Sequence, residues 1–165
     1  MQKNFIKKAL VLALGFTLLS GMIGCGDKKS DGPAVDISAE QLIDEVYQNT
    51  DSSLYNQTVQ TMPIDISDKD AMEFYLGVKE LDGLQSAAFS EPMMSSIAHS
   101  VVALKFDNAK DALAAAESLK QTAPVQKWIC VEPDAVTTKV FYNTYVIFSM
   151  SSNDFINNLN DMTFK

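Results

Sequence analysis

The chain has 165 residues, 47% of them apolar and 21% charged, with 21 acids, no arginine and a formal net charge of −8. Nucleic acid and phosphate-rich partners are held through dense positive charge and bidentate guanidinium contacts, so this composition excludes them. The length suits one ordinary folded domain once any targeting segment is removed.

Residues 1–24 carry Lys3, Lys7 and Lys8 and no acid, then an apolar run from Ala9 to Leu19, then Ser20, Gly21, Met22, Ile23 and Gly24. A positive start, a short apolar centre and a small-residue end are the layout of a secretory signal peptide. The run is shorter than the roughly 20 apolar residues that span a bilayer core. Met22-Ile23-Gly24-Cys25 resembles a bacterial lipobox, with Met22 standing where Leu is usual. The resemblance implies transfer of diacylglycerol to the Cys25 thiol and cleavage after Gly24. Each buried acyl CH₂ contributes about 0.8 kcal/mol, and two chains give stable anchoring, so Cys25 is expected to be a membrane tether. The expected location is the extracytoplasmic face of the cell membrane.

Removing residues 1–24 takes away three lysines and no acid, leaving 141 residues with 10 basic and 21 acidic side chains, a net −11. Residues 25–36 combine Gly, Pro, Ser and charges without apolar periodicity and read as a flexible tether, at most about 35 Å long. Residues 37–165 read as a single domain.

That domain opens with a helix. Ser38 and Gln41 have the spacing of a capping box, Ile37 and Leu42 that of a hydrophobic staple, and Leu42, Ile43, Val46 and Tyr47 form one apolar stripe. After a polar stretch, Ser67 or Asp68 begins a short second helix that ends at Gly77. Residues 83–92 and 95–106 read as paired strands; the second is apolar on both faces near Val102 and so belongs in the middle of a sheet. Asn108 caps a third helix with Ala109, Ala112, Leu113, Ala116 and Leu119 inward, and Pro124 ends it. Residues 136–142 and 145–150 are rich in β-formers and form either a hairpin or one long strand. Phe155, Ile156, Leu159 and Met162 mark a last helix. The order predicts an α+β fold, an antiparallel sheet of about four strands with helices packed mainly on one face.

The lipobox cysteine, the segment FYLGV, the run SIAHSVVALKFDNAKDALAAAESLK and the run WICVEPDAVTTKVFYNTYVIFSMS together resemble an uncharacterised family of exported Gram-positive lipoproteins, domain of unknown function 4358. The resemblance covers roughly residues 38–160. It implies the same location and architecture and brings no activity, cofactor or catalytic residue.

The side chains that carry chemistry are few. His99 is the one histidine, and a catalytic triad would need it beside Ser95, Ser96 or Ser100. Ser100 points to the other face and no nucleophile elbow exists, so a satisfied strand histidine is expected. Met93, Met94 and His99 suit copper(I) by ligand type, but adjacent methionines on a strand point apart, and packing is expected instead. Asp65, Asp68, Asp70 and Glu73 lack the central glycine of a calcium loop and suit a helix N-terminus. Glu132 and Asp134 flank Pro133, the pattern of a turn; as an acid–base pair they would support a hydrolase, the least favoured reading. Cys130, beside Trp128, Ile129 and Val131, is expected in the core. No catalytic residue, metal site or cofactor is expected. Trp128, Tyr142 and Tyr145 are the candidate interaction surface, because aromatics with polar handles favour interfaces. The expected function is a non-enzymatic binding or interaction module of the cell envelope, docking an envelope protein or cell-wall component. The alternative is a small-solute or metal-binding lipoprotein, a scavenger or sensor.

Overall fold

The computed structural model describes residues 35–50, 58–94 and 96–163. The expected signal segment 1–24 with Gly24, the expected lipidation residue Cys25 and the expected tether up to residue 34 lie outside the described residues.

Local sequence dictates the helix boundaries. In α1 (Ala39–Asn49) the Ser38 hydroxyl accepts from the Gln41 amide while the Gln41 side chain accepts from the Ser38 amide, so two otherwise orphaned donors are satisfied. In α2 (Lys69–Leu76) the Asp68 carboxylate accepts from the amides of Asp70 and Ala71, and Gly77 ends the helix at φ +72°. Asn108 caps α3 (Ala109–Thr122) and Ser152 caps α4 (Asn153–Asp161).

Five strands, β1 (Val59–Ile64), β2 (Leu84–Pro92), β3 (Ser100–Phe106), β4 (Ala135–Phe141) and β5 (Tyr145–Ser151), form one antiparallel sheet in the order β1-β2-β3-β5-β4. The fold class is α+β, with one strand more than the sequence pattern gives. The additional strand is β1, whose sequence VQTMPI contains Pro63 and half of whose residues are exposed. An edge strand tolerates both features, because only one of its sides must pair and only one of its faces must be dry. Residues 135–151 are a hairpin: Phe141 pairs with Tyr145, and Tyr142 and Asn143 turn the chain at φ 47° and 64°.

Helices cover both faces of the sheet rather than mainly one. Along β3, Val101 and Ala103 pack with α1 and α4, while Val102, Leu104 and Phe106 pack with α2 and α3. Strand β5 divides the same way, Tyr145 and Ile147 against Val146, Phe148 and Met150. Central strands that are dry on both sides need a cover on both sides, which the two-sided apolarity of 100–106 already demands. On α3 the buried stripe is Ala112, Ala115, Ala116 and Leu119, with Leu113 exposed. An alanine-rich helix offers several stripes of similar apolarity, and packing against the sheet selects one.

At the chain's entry, the Tyr145 hydroxyl accepts from the Ile37 amide and donates to the carbonyls of Val35 and Ile37, and Lys105 pairs with Asp36. Lys105 and Tyr145 face each other at one end of the sheet. That end is where the described chain begins, at Val35–Ile37. No helix among the described residues is long and apolar enough to cross a membrane.

Candidate functional site

The most unusual group of side chains gathers at the opposite end of the sheet, around Lys127. A single turn of 3-10 helix, Val125–Lys127, follows Pro124 and aims Lys127 back across β2 and β3. Its ammonium donates to Glu91 Oε1 near the end of β2, and to Ser100 Oγ at 3.3 Å; Ser100 Oγ also donates to Glu91 at 2.8 Å. The side chain of Lys127 is 3% exposed and that of Glu91 18%. Three rings surround the ammonium, with centroids 4.8 Å (Trp128), 5.3 Å (Tyr75) and 5.5 Å (Phe74) away, a cation–π arrangement within a nearly dry setting. Burial pushes the Lys127 ammonium below its ordinary range, and the charge and hydrogen bond of Glu91 act against that. The pair, its hydroxyl and its rings satisfy one another.

Over this polar kernel lies an apolar rim. Ile129 is 96% exposed, Met93 80% and Phe74 50%, and Met94 is exposed beside them in sequence. Phe74, Met93, Ile129 and Trp128 line one cleft of about 240 Å³ with Glu91 and Lys127 at its floor. Trp128 and Ile129 also border a shallow depression of about 480 Å³ that runs past Cys130 to Glu132. The rim continues along the sheet: Tyr75 stacks on Phe89 at 4.1 Å, and Phe89 pairs in register with the exposed Met62 of β1. Scattered exposed apolar residues are ordinary; several converging on one cleft are not. The rim arises because α3 lies over β3, β5 and β4, while Met72 and Leu76 of the short α2 share a core cluster with Ile64 of β1 and Ala87 of β2.

His99 occupies a second, buried centre just before β3. Its Nε2 lies 2.9 Å from the Tyr47 hydroxyl and its Nδ1 2.7 Å from Ser151 Oγ, and the Tyr47 hydroxyl donates to Ser90 Oγ at 3.1 Å. Burial first and the Lys127 charge second lower its pKa to about 3, so at neutral pH it is an uncharged imidazole. Ser151 is a serine beside a histidine, yet both are buried and the far ring nitrogen meets a tyrosine rather than a carboxylate. The arrangement ties α1 to β5, whereas a hydrolytic triad needs an accessible nucleophile and an acidic orienter.

The structure does not bring Trp128, Tyr142 and Tyr145 to one surface. Tyr145 is fully buried beneath α1 and α4; Trp128 is buried on the other face and lines the cleft. Tyr142 is half-buried in the β4–β5 turn, its hydroxyl 3.4 Å from Glu45. Cys130, expected in the core, is exposed. Residues 128–134 cross the sheet end as irregular chain, so Trp128 turns inward while Ile129 and Cys130 turn out. Met93 and Met94, expected to pack, are likewise exposed. Asp65 closes a turn onto Ser67, and Asp134 accepts from the Asn153 amide at 3.4 Å. No three His, Cys, Asp or Glu side chains among the described residues cluster to hold a metal. Sequence reasoning missed Phe74, Glu91, Ile129 and Lys127; a lysine flanked by Trp128 was the one local signal.

The fold and the site define an α+β domain with a buried, ring-enclosed ion pair beneath an apolar rim. No protein-family model, curated protein or solved structure matches the chain.

Proposed function

We propose that this protein is an exported lipoprotein, tethered through Cys25 to the extracytoplasmic face of the membrane, that acts as a non-enzymatic binding module of the cell envelope. It meets its partner through the rim around Lys127. The observation that carries this reading is the convergence of Phe74, Met93 and Ile129, all exposed, on one cleft. Large apolar side chains that converge in water mark contact sites, and a lipobox-like cysteine after a signal-like segment supports the location. The resemblance to the exported lipoprotein family agrees with the location and is silent on the activity. A scavenger or sensor for a small solute is the weaker alternative: the cleft of about 240 Å³ falls below the roughly 300–1,000 Å³ typical of small-molecule sites, and the adjoining depression of about 480 Å³ is shallow and open rather than enclosing.

The test is site-specific photo-crosslinking in the producing cells, with a photoreactive residue in place of Ile129, of Met93 or, as a control, of Leu113 on α3. Discrete adducts at 129 and 93 and none at 113 are expected. Equal patterns at all three positions, or no adduct at the rim, would remove the reading.

A further inference from the structure

We propose that the rim docks a basic amphipathic segment of a partner protein, held on the side of the domain away from the membrane; this rests on the binding-module reading above. Three features of the rim set the chemistry of the occupant.

The first is the shape of the anchors. Met93, Ile129 and Phe74 are unbranched, branched and aromatic side chains around one cleft, and the exposed Met94 follows Met93 in the chain. Methionine has three rotatable bonds and a polarisable thioether, and surfaces built with it accommodate the apolar stripe of a helix without a fixed complementary shape. The second is charge. Glu132 lines the adjoining depression, while Glu91 and the one lysine of the cleft neutralise each other at its floor. The exported chain as a whole carries 21 acids against 10 lysines. An approaching basic segment gains from that field at every distance within a Debye length, and an acidic one is repelled. The floor of the cleft supplies no available cation to offset this.

The third is position. Met93, Trp128 and Ile129 lie beyond the Pro92, Ser100 and Met150 end of the sheet, where Lys127 reaches Ser100. The tether joins at the Lys105 and Tyr145 end. The seven residues of β5 (Tyr145–Ser151) separate the two ends by about 20 Å at 3.4 Å per residue. With the expected tether at that far end, the rim is left open to a partner beyond the bilayer surface. A chain of net −11 is held off anionic headgroups, which makes a bilayer a poor occupant, and a second copy would bring two such domains together.

Both core clusters, with the residues packed against them, lie between Ile37 and Met162. The exported chain 25–165 with Cys25→Ser thus keeps the whole fold without acyl chains. It is titrated by calorimetry with an 18-residue Leu/Lys helix whose leucines fall at i, i+3, i+4 and i+7. A Leu/Glu helix of the same pattern and a scrambled Leu/Lys peptide are the comparators. Emission of Trp128, the only tryptophan, reports the place of binding. Expected is saturable binding of the Leu/Lys helix alone, a change in Trp128 emission, and at least tenfold weakening by 0.5 M salt and by Ile129→Ser with Met93→Ser, with Leu113→Ser neutral. Equal binding of the Leu/Glu or scrambled peptide, or indifference to the rim substitutions, overturns the proposal. So does a dimer that dissociates on Ile129→Ser, which assigns the rim to a second copy. Flotation of the unacylated chain with phosphatidylcholine vesicles that Ile129→Ser abolishes assigns it to a membrane and overturns it too. Crosslinks at residue 129 in cells without peptide binding retain a binding module and remove only the basic helix; loss of both removes both.

Discussion

At pH 7 the imidazole of His99 is neutral between Tyr47 and Ser151, one ring nitrogen donating and the other accepting, with the Lys127 charge close enough to disfavour a second proton. Its folded-state pKa is about 3, whereas a free histidine titrates near 6.5. The sign follows from that order. Between those values the unfolded chain binds a proton that the folded chain refuses, so stability is full above about pH 6.5 and is lost as pH falls towards 3. From pH 7 to 4.5 the wild-type chain should lose about 2–3 kcal/mol more unfolding free energy than His99→Gln does. Urea midpoints at the two pH values measure this difference, and parallel losses in both proteins would refute it. The single histidine and its apolar surroundings were legible in the sequence. Its partners were not: Tyr47 and Ser151 each stand 52 residues away, and no local pattern joins them. The same holds for Lys127, whose carboxylate lies 36 residues upstream.

Helix ends are local events, and there the chain spells out its structure. Ser38 with Gln41, Ser67 or Asp68 with Gly77, and Asn108 are legible as caps because each acts on amides or carbonyls within a turn of itself, and the structure places the second cap at Asp68. Strand β1 was hidden for the converse reason: its membership depends on β2, and VQTMPI mixes apolar residues with Gln60, Thr61 and Pro63 without the pattern of an independent strand. The C-terminus of α4 is completed from a distance, with the Lys139 ammonium of β4 donating to the carbonyls of Leu159, Asn160 and Met162. That charge lies where the helix dipole is negative. Gly77 shows how one residue serves two elements. Its φ of +72° costs an L-residue about 1 kcal/mol or more, and a Cβ there would sit 1.8 Å from the Thr122 carbonyl oxygen at the end of α3. The neighbour is backbone and cannot turn aside. Gly77→Ala should therefore cost about 3 kcal/mol or more, beyond the ordinary range for a surface helix end. Because α2 carries Phe74 and Tyr75, the same substitution should alter Trp128 emission in the folded state. Denaturant unfolding checks the first effect, and a loss below about 1 kcal/mol would show that α2 and α3 separate freely.

For the whole molecule, the question is which way the rim faces. If the chain is anchored as proposed, its acidic domain is repelled by anionic headgroups, the chain enters the domain at the Lys105 end, and the apolar rim sits at the other. Nothing in the length or order of the chain announces this. It follows from antiparallel pairing, which sends β2 and β5 away from the tether and returns β3 and β4 towards it. Cys130 makes the orientation measurable, because it is an exposed thiol two residues from Trp128, and Cys25 is expected to be acylated. A membrane-impermeant maleimide added to intact cells should label Cys130 at close to the rate seen after detergent solubilisation, and Cys130→Ser should remove the label. Labelling that appears only after cell lysis would place the domain in the cytoplasm and end the lipoprotein reading. Labelling that appears only once detergent dissolves the bilayer would mean the rim lies in lipid, reversing the orientation while leaving the tether intact. Labelling of intact cells that a partner's overproduction slows would put that partner on the rim, since Cys130 and Ile129 border the same depression.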